Sequence, residues 1–179
     1  RRFAQIISQN RGTLVTAKKN YTKIRLFIAS PGDMAEERNR LVDVVHELNR
    51  TGSPIEALGL VVEALDWRTH VAPQMGRPEG VILDQLPLET CDIFVGLMWL
   101  RFGSPTGGSD PQTGLSFDSG TYEEFSLAYA AWQQRRQPQI LFYRCTRPPE
   151  NVFDIDTDQL KRVNDFFKQF APEGNHPGF

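Results

Sequence analysis

Apolar residues fall along the chain in two rhythms: short unbroken runs and longer stretches with a helical period. Residues 23–30 carry Ile24, Leu26, Phe27 and Ile28 with little polar alternation. This predicts a strand buried on both faces, as in a parallel sheet. Pro31-Gly32 breaks the run, and Asp33 with Glu36 three positions on predicts a helix N-cap in a capping box. Leu41, Val44, Val45 and Leu48 share one helical face, and Thr51-Gly52 closes that helix. Residues 58–65 read as the second strand, running out into Asp66-Trp67-Arg68. Residues 69–78 read as an irregular loop, and a short helix carrying Val81, Ile82, Leu83 and Leu86 ends at Pro87. Residues 91–99 form the clearest buried strand, with Ile93, Phe94, Val95, Leu97 and Met98 and a single charge at Asp92.

A long polar loop follows over residues 101–120, with Gly103, Gly107, Gly108, Gly114 and Gly120 and two prolines, Pro105 and Pro111. Loops of that length inside a compact domain are usually functional or mobile. Residues 121–134 read as a helix burying Phe125, Ala128, Tyr129 and Trp132, and residues 139–145 as a strand. After Pro148-Pro149, a last helix starts at Asp156 or Thr157 and carries Leu160, Val163, Phe166, Phe167 and Phe170. Residues 171–179 read as a loop-like tail. Strand and helix alternate throughout, which predicts an α/β domain over residues 23–179. The expected architecture is a flavodoxin-like, doubly wound and mainly parallel sheet of about five strands with helices on both faces. Residues 1–22 form a separate arm, basic through Arg1, Arg2, Arg11, Lys18 and Lys19. In it Phe3, Ile6 and Ile7 can share one face of a short helix.

Composition narrows the class. The 179 residues are 40% hydrophobic and 23% charged, with a net charge of −2 and a pI of about 5.9. That is ordinary globular composition, with no basic footprint for nucleic acid. No apolar run approaches the roughly 18 residues of a membrane span, and no charged-then-apolar leader is present, so a cytoplasmic protein is expected. The chain starts at Arg1 rather than Met, which points to a piece of a longer protein with further domains. Cys91 and Cys145 fall at opposite ends of strands, too far apart for a disulfide, and are expected as reduced thiols. Together with His46, His70 and His176 they show no paired metal-ligand spacing.

Doubly wound sheets bind ligands at the carboxyl ends of their strands, near the switch in strand order. Three segments leave strands at that edge: Ser30-Pro31-Gly32-Asp33, Asp66-Trp67-Arg68, and the stretch from Trp99 to Glu124. They offer backbone amides at helix starts, which suit phosphates, and the aromatics Trp67, Trp99, Phe102 and Tyr122 for stacking on a base. For any one of these aromatics, core and rim packing is the better account. A Gly-x-Gly-x-x-Gly grip after the first strand, a Walker A lysine and a Gly-x-Ser-x-Gly elbow are all missing. A Rossmann dinucleotide site, a P-loop ATPase and an α/β-hydrolase are therefore not indicated.

Several of these runs resemble a known family. Phe27-Ile28-Ala29-Ser30-Pro31-Gly32-Asp33-Met34, followed by Glu37-Arg38, looks like the opening of a TIR-like (Toll/interleukin-1 receptor-like) domain. The subtype is the one found at the N-terminus of large bacterial STAND signalling ATPases. Cys91-Asp92-Ile93-Phe94-Val95-Gly96 and Arg101-Phe102-Gly103 resemble its central strand and exit. Ser119-Gly120-Thr121-Tyr122-Glu123-Glu124-Phe125 stands where such domains carry a glutamate followed by an apolar residue. The segment is also similar to nucleoside deoxyribosyltransferases, which carry Asp-Ser-Gly-Thr, two residues, then Glu. Both comparisons select Glu124 over Glu123, and the resemblance covers about residues 23–170.

What the resemblance implies is N-glycosidic bond chemistry, with Glu124 as the catalytic carboxylate and NAD as substrate rather than cofactor. Breaking a ribosyl C–N bond develops positive charge on the sugar, which a carboxylate beside C1′ stabilises or attacks. Ser30 and Asp33 would line the ribose or phosphate pocket, and Trp99, Arg101, Phe102 and Tyr122 would shape the nucleotide side. No metal is implied. The residues alone allow a plainer account: Thr121-x-x-Glu124 is itself a capping box, Glu123 would then face solvent, and Ser30 and Asp33 would be helix caps. Three readings follow. The first is an NAD glycohydrolase effector or signalling domain of a bacterial immune protein, activated by self-association. The second is a non-catalytic TIR-like assembly module, and the third a nucleoside deoxyribosyltransferase-like enzyme.

Overall fold

The computed structural model describes residues 20–65, 88–110 and 114–171. Four strands form the sheet: β1 (Thr22–Ala29), β2 (Leu60–Leu65), β3 (Ile93–Met98) and β4 (Gln139–Arg144), in the order β2-β1-β3-β4. All neighbours are parallel, with Phe27 level with both Leu65 and Phe94, and Phe94 level with Ile140. This is the first part of the flavodoxin-like order. The described residues hold four strands where about five were expected.

Alternation within each strand sorts side chains between two layers. Leu26 and Ile28 of β1 join Val62, Val95 and Leu97 beneath α1 (Ala35–Leu48), which adds Val45. Phe27 and Ala29 join Phe94, Met98 and Ile140 on the opposite face. That face is covered by α3 (Gly120–Arg135) and α4 (Thr157–Lys168). Between α1 and β2 lies a single-turn helix, α2 (Pro54–Ala57), which the apolar pattern does not reveal. Ser53 caps it and Pro54 starts it, as proline's fixed φ favours. Gly59 follows at φ +70°, so β2 begins at Leu60, two residues later than the apolar run suggests.

The α3–α4 layer is aromatic. Phe125 meets Phe142, Phe166 and Phe170 edge-on, with centroids 5.6, 5.3 and 5.6 Å apart. Edge-to-face contact is the favoured geometry for such rings. Gly96, in the middle of β3, is level with Phe142 of β4, whose ring lies over the glycine where a β-carbon would stand. The start of α4 is as expected: Asp156 Oδ1 accepts the N–H groups of Asp158 and Gln159.

Both cysteines are free; Cys91 is buried and Cys145 half-buried. Burial pushes the Cys91 thiol up to about 11, with Arg25 pulling it down and Asp92 adding to the rise. Among the described residues no helix is long and apolar enough to cross a membrane. Residues 1–19, the loop at 69–78, the short helix expected near 81–86, and Trp67, His70 and His176 lie outside the described residues.

Candidate functional site

In this strand order β2 lies on one side of β1 and β3 on the other, so the chain's direction across the sheet reverses between β1 and β3. The loops leaving those two strands form the crevice where ligands of such sheets bind. Asp33 sits at its centre. It does not cap α1, whose N-cap is Met34 without a side-chain bond. Instead its Oδ2 accepts the backbone N–H groups of Leu100 (3.1 Å) and Arg101 (3.0 Å), tying the β1 exit to the β3 exit. The capping box with Glu36 is therefore absent, because a tight turn over Gly32–Met34 carries Asp33 inward before α1 starts. Its Oδ1 is buried without a hydrogen-bond partner.

Ser30 is held from below by Arg38, a guanidinium 4% exposed. Arg38 Nε donates to Ser30 Oγ at 2.7 Å, and Nη2 donates to the carbonyls of Ser30 and Pro31 at 3.1 and 3.0 Å. Ser30 too is not a helix cap: the N-cap of the turn that follows it is Pro31. A buried charge is tolerated only with such partners. Trp99 belongs to the neighbouring cluster. Its Nε1 donates to the Arg147 carbonyl at 2.8 Å, and the Arg147 guanidinium stands 4.5 Å from the ring centre. Arg147 also reaches Glu36 and Glu37 at 3.2 and 3.4 Å. Arg101 is exposed and contributes its backbone N–H to Asp33.

The start of α3 departs from the expected capping box. Ser119 is the N-cap, fully buried, and its Oγ accepts the Tyr122 N–H at 3.0 Å. Thr121 and Glu124 therefore lie inside the helix and form no box. Glu123, expected in solvent, is 3% exposed and accepts the Thr106 hydroxyl at 2.6 Å; Glu124 is 4% exposed. The long loop folds back over the first turn of α3, and that contact removes Glu123 from water. Two successive carboxylates are thus buried at one helix start, where the helix dipole favours negative charge.

Phe102 and Tyr122 lie elsewhere. Their rings are 5.7 Å apart, and both pack on Phe166 of α4. Gln159 of α4 fixes the loop: its Oε1 accepts the N–H groups of Phe102 and Gly103, and its Nε2 donates to the Gly103 carbonyl. A cavity of about 230 Å³ opens here, lined by these rings with Asp118, Arg162, Asp165 and Gln169. Tyr122 and Glu124 are two residues apart, about 200° around the helix axis, so they serve different sides of α3.

The structure thus brings Ser30, Asp33 and the Arg101 backbone together at the β1–β3 crevice, with Trp99 in the Arg147 cluster beside it. It groups Phe102 with Tyr122 beside α4, and buries Glu124 on another side of α3. Sequence reasoning gave no role to Arg38, Thr106, Glu123 or Gln159. Only Arg38 left a signal, as part of the Glu37-Arg38 pair after the first turn. The other three act through loop closure, which leaves no periodic trace. Comparison with protein-family models, curated proteins and solved structures returned no significant match.

Proposed function

We propose that this domain is a TIR-like NAD glycohydrolase that releases nicotinamide, with Glu124 as the catalytic carboxylate. The observation that carries the reading is the cap at Ser119, which leaves Glu124 without the helix-capping role that best explained it structurally. Glu124 is a carboxylate 4% exposed, early in the helix that follows the long glycine-rich loop. A group so desolvated acts on developing positive charge more strongly than it would in water. Nicotinamide leaves as a neutral base, so the C1′–N bond can break without a general acid, and one carboxylate suffices. The β1–β3 crevice, with Ser30, Asp33 and Arg101 and with Trp99 beside it, would hold the nucleotide.

In the arrangement described here substrate reaches Glu124 only after the chain over it moves. Self-association supplies such a rearrangement, consistent with a cytoplasmic signalling module of a bacterial immune protein that fires when copies assemble. The same burial favours a second reading, a non-catalytic assembly module in which Glu124 is a structural carboxylate. Nicotinamide release measured on dilute protein and on protein clustered on a scaffold separates the two: turnover confined to the clustered sample supports the enzyme, and none in either supports the assembly module.

A further inference from the structure

The cavity beside α4 lies apart from Glu124, and the reaction proposed for that carboxylate does not use it. Three segments build it. α4 and its C-cap supply Arg162, Asp165, Phe166 and Gln169. These recur at i, i+3, i+4 and i+7, so they form one stripe along the helix. Asp118 and Tyr122 flank the Ser119 cap of α3 along the chain, and Phe102 comes from the exit of β3. The interior is aromatic: the ring centres of Phe102, Tyr122 and Phe166 form a triangle with sides of 5.7, 6.1 and 6.2 Å. Phe102 and Phe166 are buried and Tyr122 is half-buried, whereas Asp118, Arg162 and Asp165 are exposed and make a charged rim.

The rim carries both signs of charge, and both remain available to a ligand. Arg162 Nη1 stands 3.7 Å from Asp118 Oδ2, beyond hydrogen-bond length, so the planar guanidinium fork is open to an incoming carboxylate. Asp165 Oδ1 meets Lys168 Nζ at 3.1 Å, which leaves its second oxygen as an acceptor. Arg162 and Asp165 are one helical turn apart, with about 5–6 Å between β-carbons. A simple anion entering here meets two carboxylates, and a simple cation meets the guanidinium. A small molecule carrying both charges a few bonds apart satisfies both. Size sets a second limit. The 230 Å³ or so of the cavity equals roughly eight water volumes and falls below the roughly 300–1,000 Å³ of pockets for drug-sized ligands. That volume excludes a whole dinucleotide and suits a ligand of about ten non-hydrogen atoms.

We propose that this cavity binds a free α-amino acid with an apolar side chain. Arg162 holds its carboxylate, Asp118 and Asp165 hold its ammonium group, and its side chain meets the Tyr122 ring and the aromatic interior behind it. Bound there, the ligand joins the β3 exit and the start of α3 to α4. Binding does not require the reaction proposed for Glu124.

Isothermal titration calorimetry on the full chain tests this with L-leucine and L-phenylalanine. Isopentylamine and 4-methylpentanoate serve as leucine without its carboxylate and without its ammonium group. The proposal expects at least one of the amino acids to bind saturably with a Kd below about 1 mM. Each single-charge analogue should bind about tenfold more weakly or worse, the scale of a lost hydrogen bond to a charged group. Arg162→Gln and Asp165→Asn replace exposed side chains, so both should keep the fold, as circular dichroism checks, and each should weaken amino-acid binding about tenfold or more. No binding of either amino acid up to about 10 mM overturns the proposal. An analogue that binds as tightly as leucine also overturns it, because the cavity then reads one charge only. Amino-acid binding unchanged in either variant overturns it as well, because the ligand is then held by other groups.

Discussion

The Thr106 hydroxyl donates to the Glu123 carboxylate across 2.6 Å, joining the long glycine-rich loop to the first turn of α3. Thr106 Oγ1 also accepts the Gly108 N–H at 3.2 Å, so one side chain shapes the loop and seals the helix start. Thr106→Val keeps the shape and removes the donor from a buried carboxylate. Bonds to charged groups contribute about 1.5–3 kcal/mol, and urea unfolding of Thr106→Val is expected to show a loss in that range. An unchanged midpoint would mean that Glu123 does not depend on the loop.

Ser119 and Gly103 form the second fixed point of this loop. Ser119→Ala removes the α3 cap and is expected to cost about 1 kcal/mol. Gly103 stands at φ +113°, and a β-carbon there would come within 2.8 Å of the Ser119 β-carbon. Gly103→Ala combines backbone strain with a clash against a fully buried residue, so its loss should exceed that of Ser119→Ala. Thermal unfolding of the two variants checks the order.

Gly96 leaves the space that the Phe142 ring occupies beside β3. A β-carbon at position 96 would lie 2.2 Å from the Phe142 ring. Gly96→Ala must displace that ring within the Phe125–Phe166 cluster, at a cost of about 1–3 kcal/mol. Pairing it with Phe142→Leu should recover part of the loss, measurable as a non-additive double-mutant cycle.

These positions show what the sequence made legible and what it did not. The unbroken runs at Phe27 and Phe94 announced buried parallel strands, and Phe125, Phe166 and Phe170 announced helices facing one core. Asp33 and Thr121 misled because a capping pattern is local, while the geometry that overrides it is tertiary. Asp33 is turned toward the β3 exit, sixty-odd residues along the chain. Ser119 takes the cap two residues before Thr121. Glu123 looked solvent-facing because the loop that covers it through Thr106 has no periodic signature.

Cys91 gives the domain a pH dependence of known sign. Its thiol is raised from 9.0 to about 11 in the folded protein. Between those values the unfolded chain has lost the proton and the folded one retains it, so the unfolded state binds fewer protons. Stability is then full below pH 9 and falls as pH rises toward 11. Cys91→Ala should fall less steeply over that window in denaturant titrations. Identical slopes would remove Cys91 as the cause.

The most direct test of the proposed activity is nicotinamide release from NAD by the clustered protein beside a clustered Glu124→Gln variant of equal thermal stability. The proposal predicts release by the parent and a loss of at least about a hundredfold in the variant, the scale of removing a group that stabilises transition-state charge. Equal release by both proteins, or none by the parent, would contradict the assignment of Glu124.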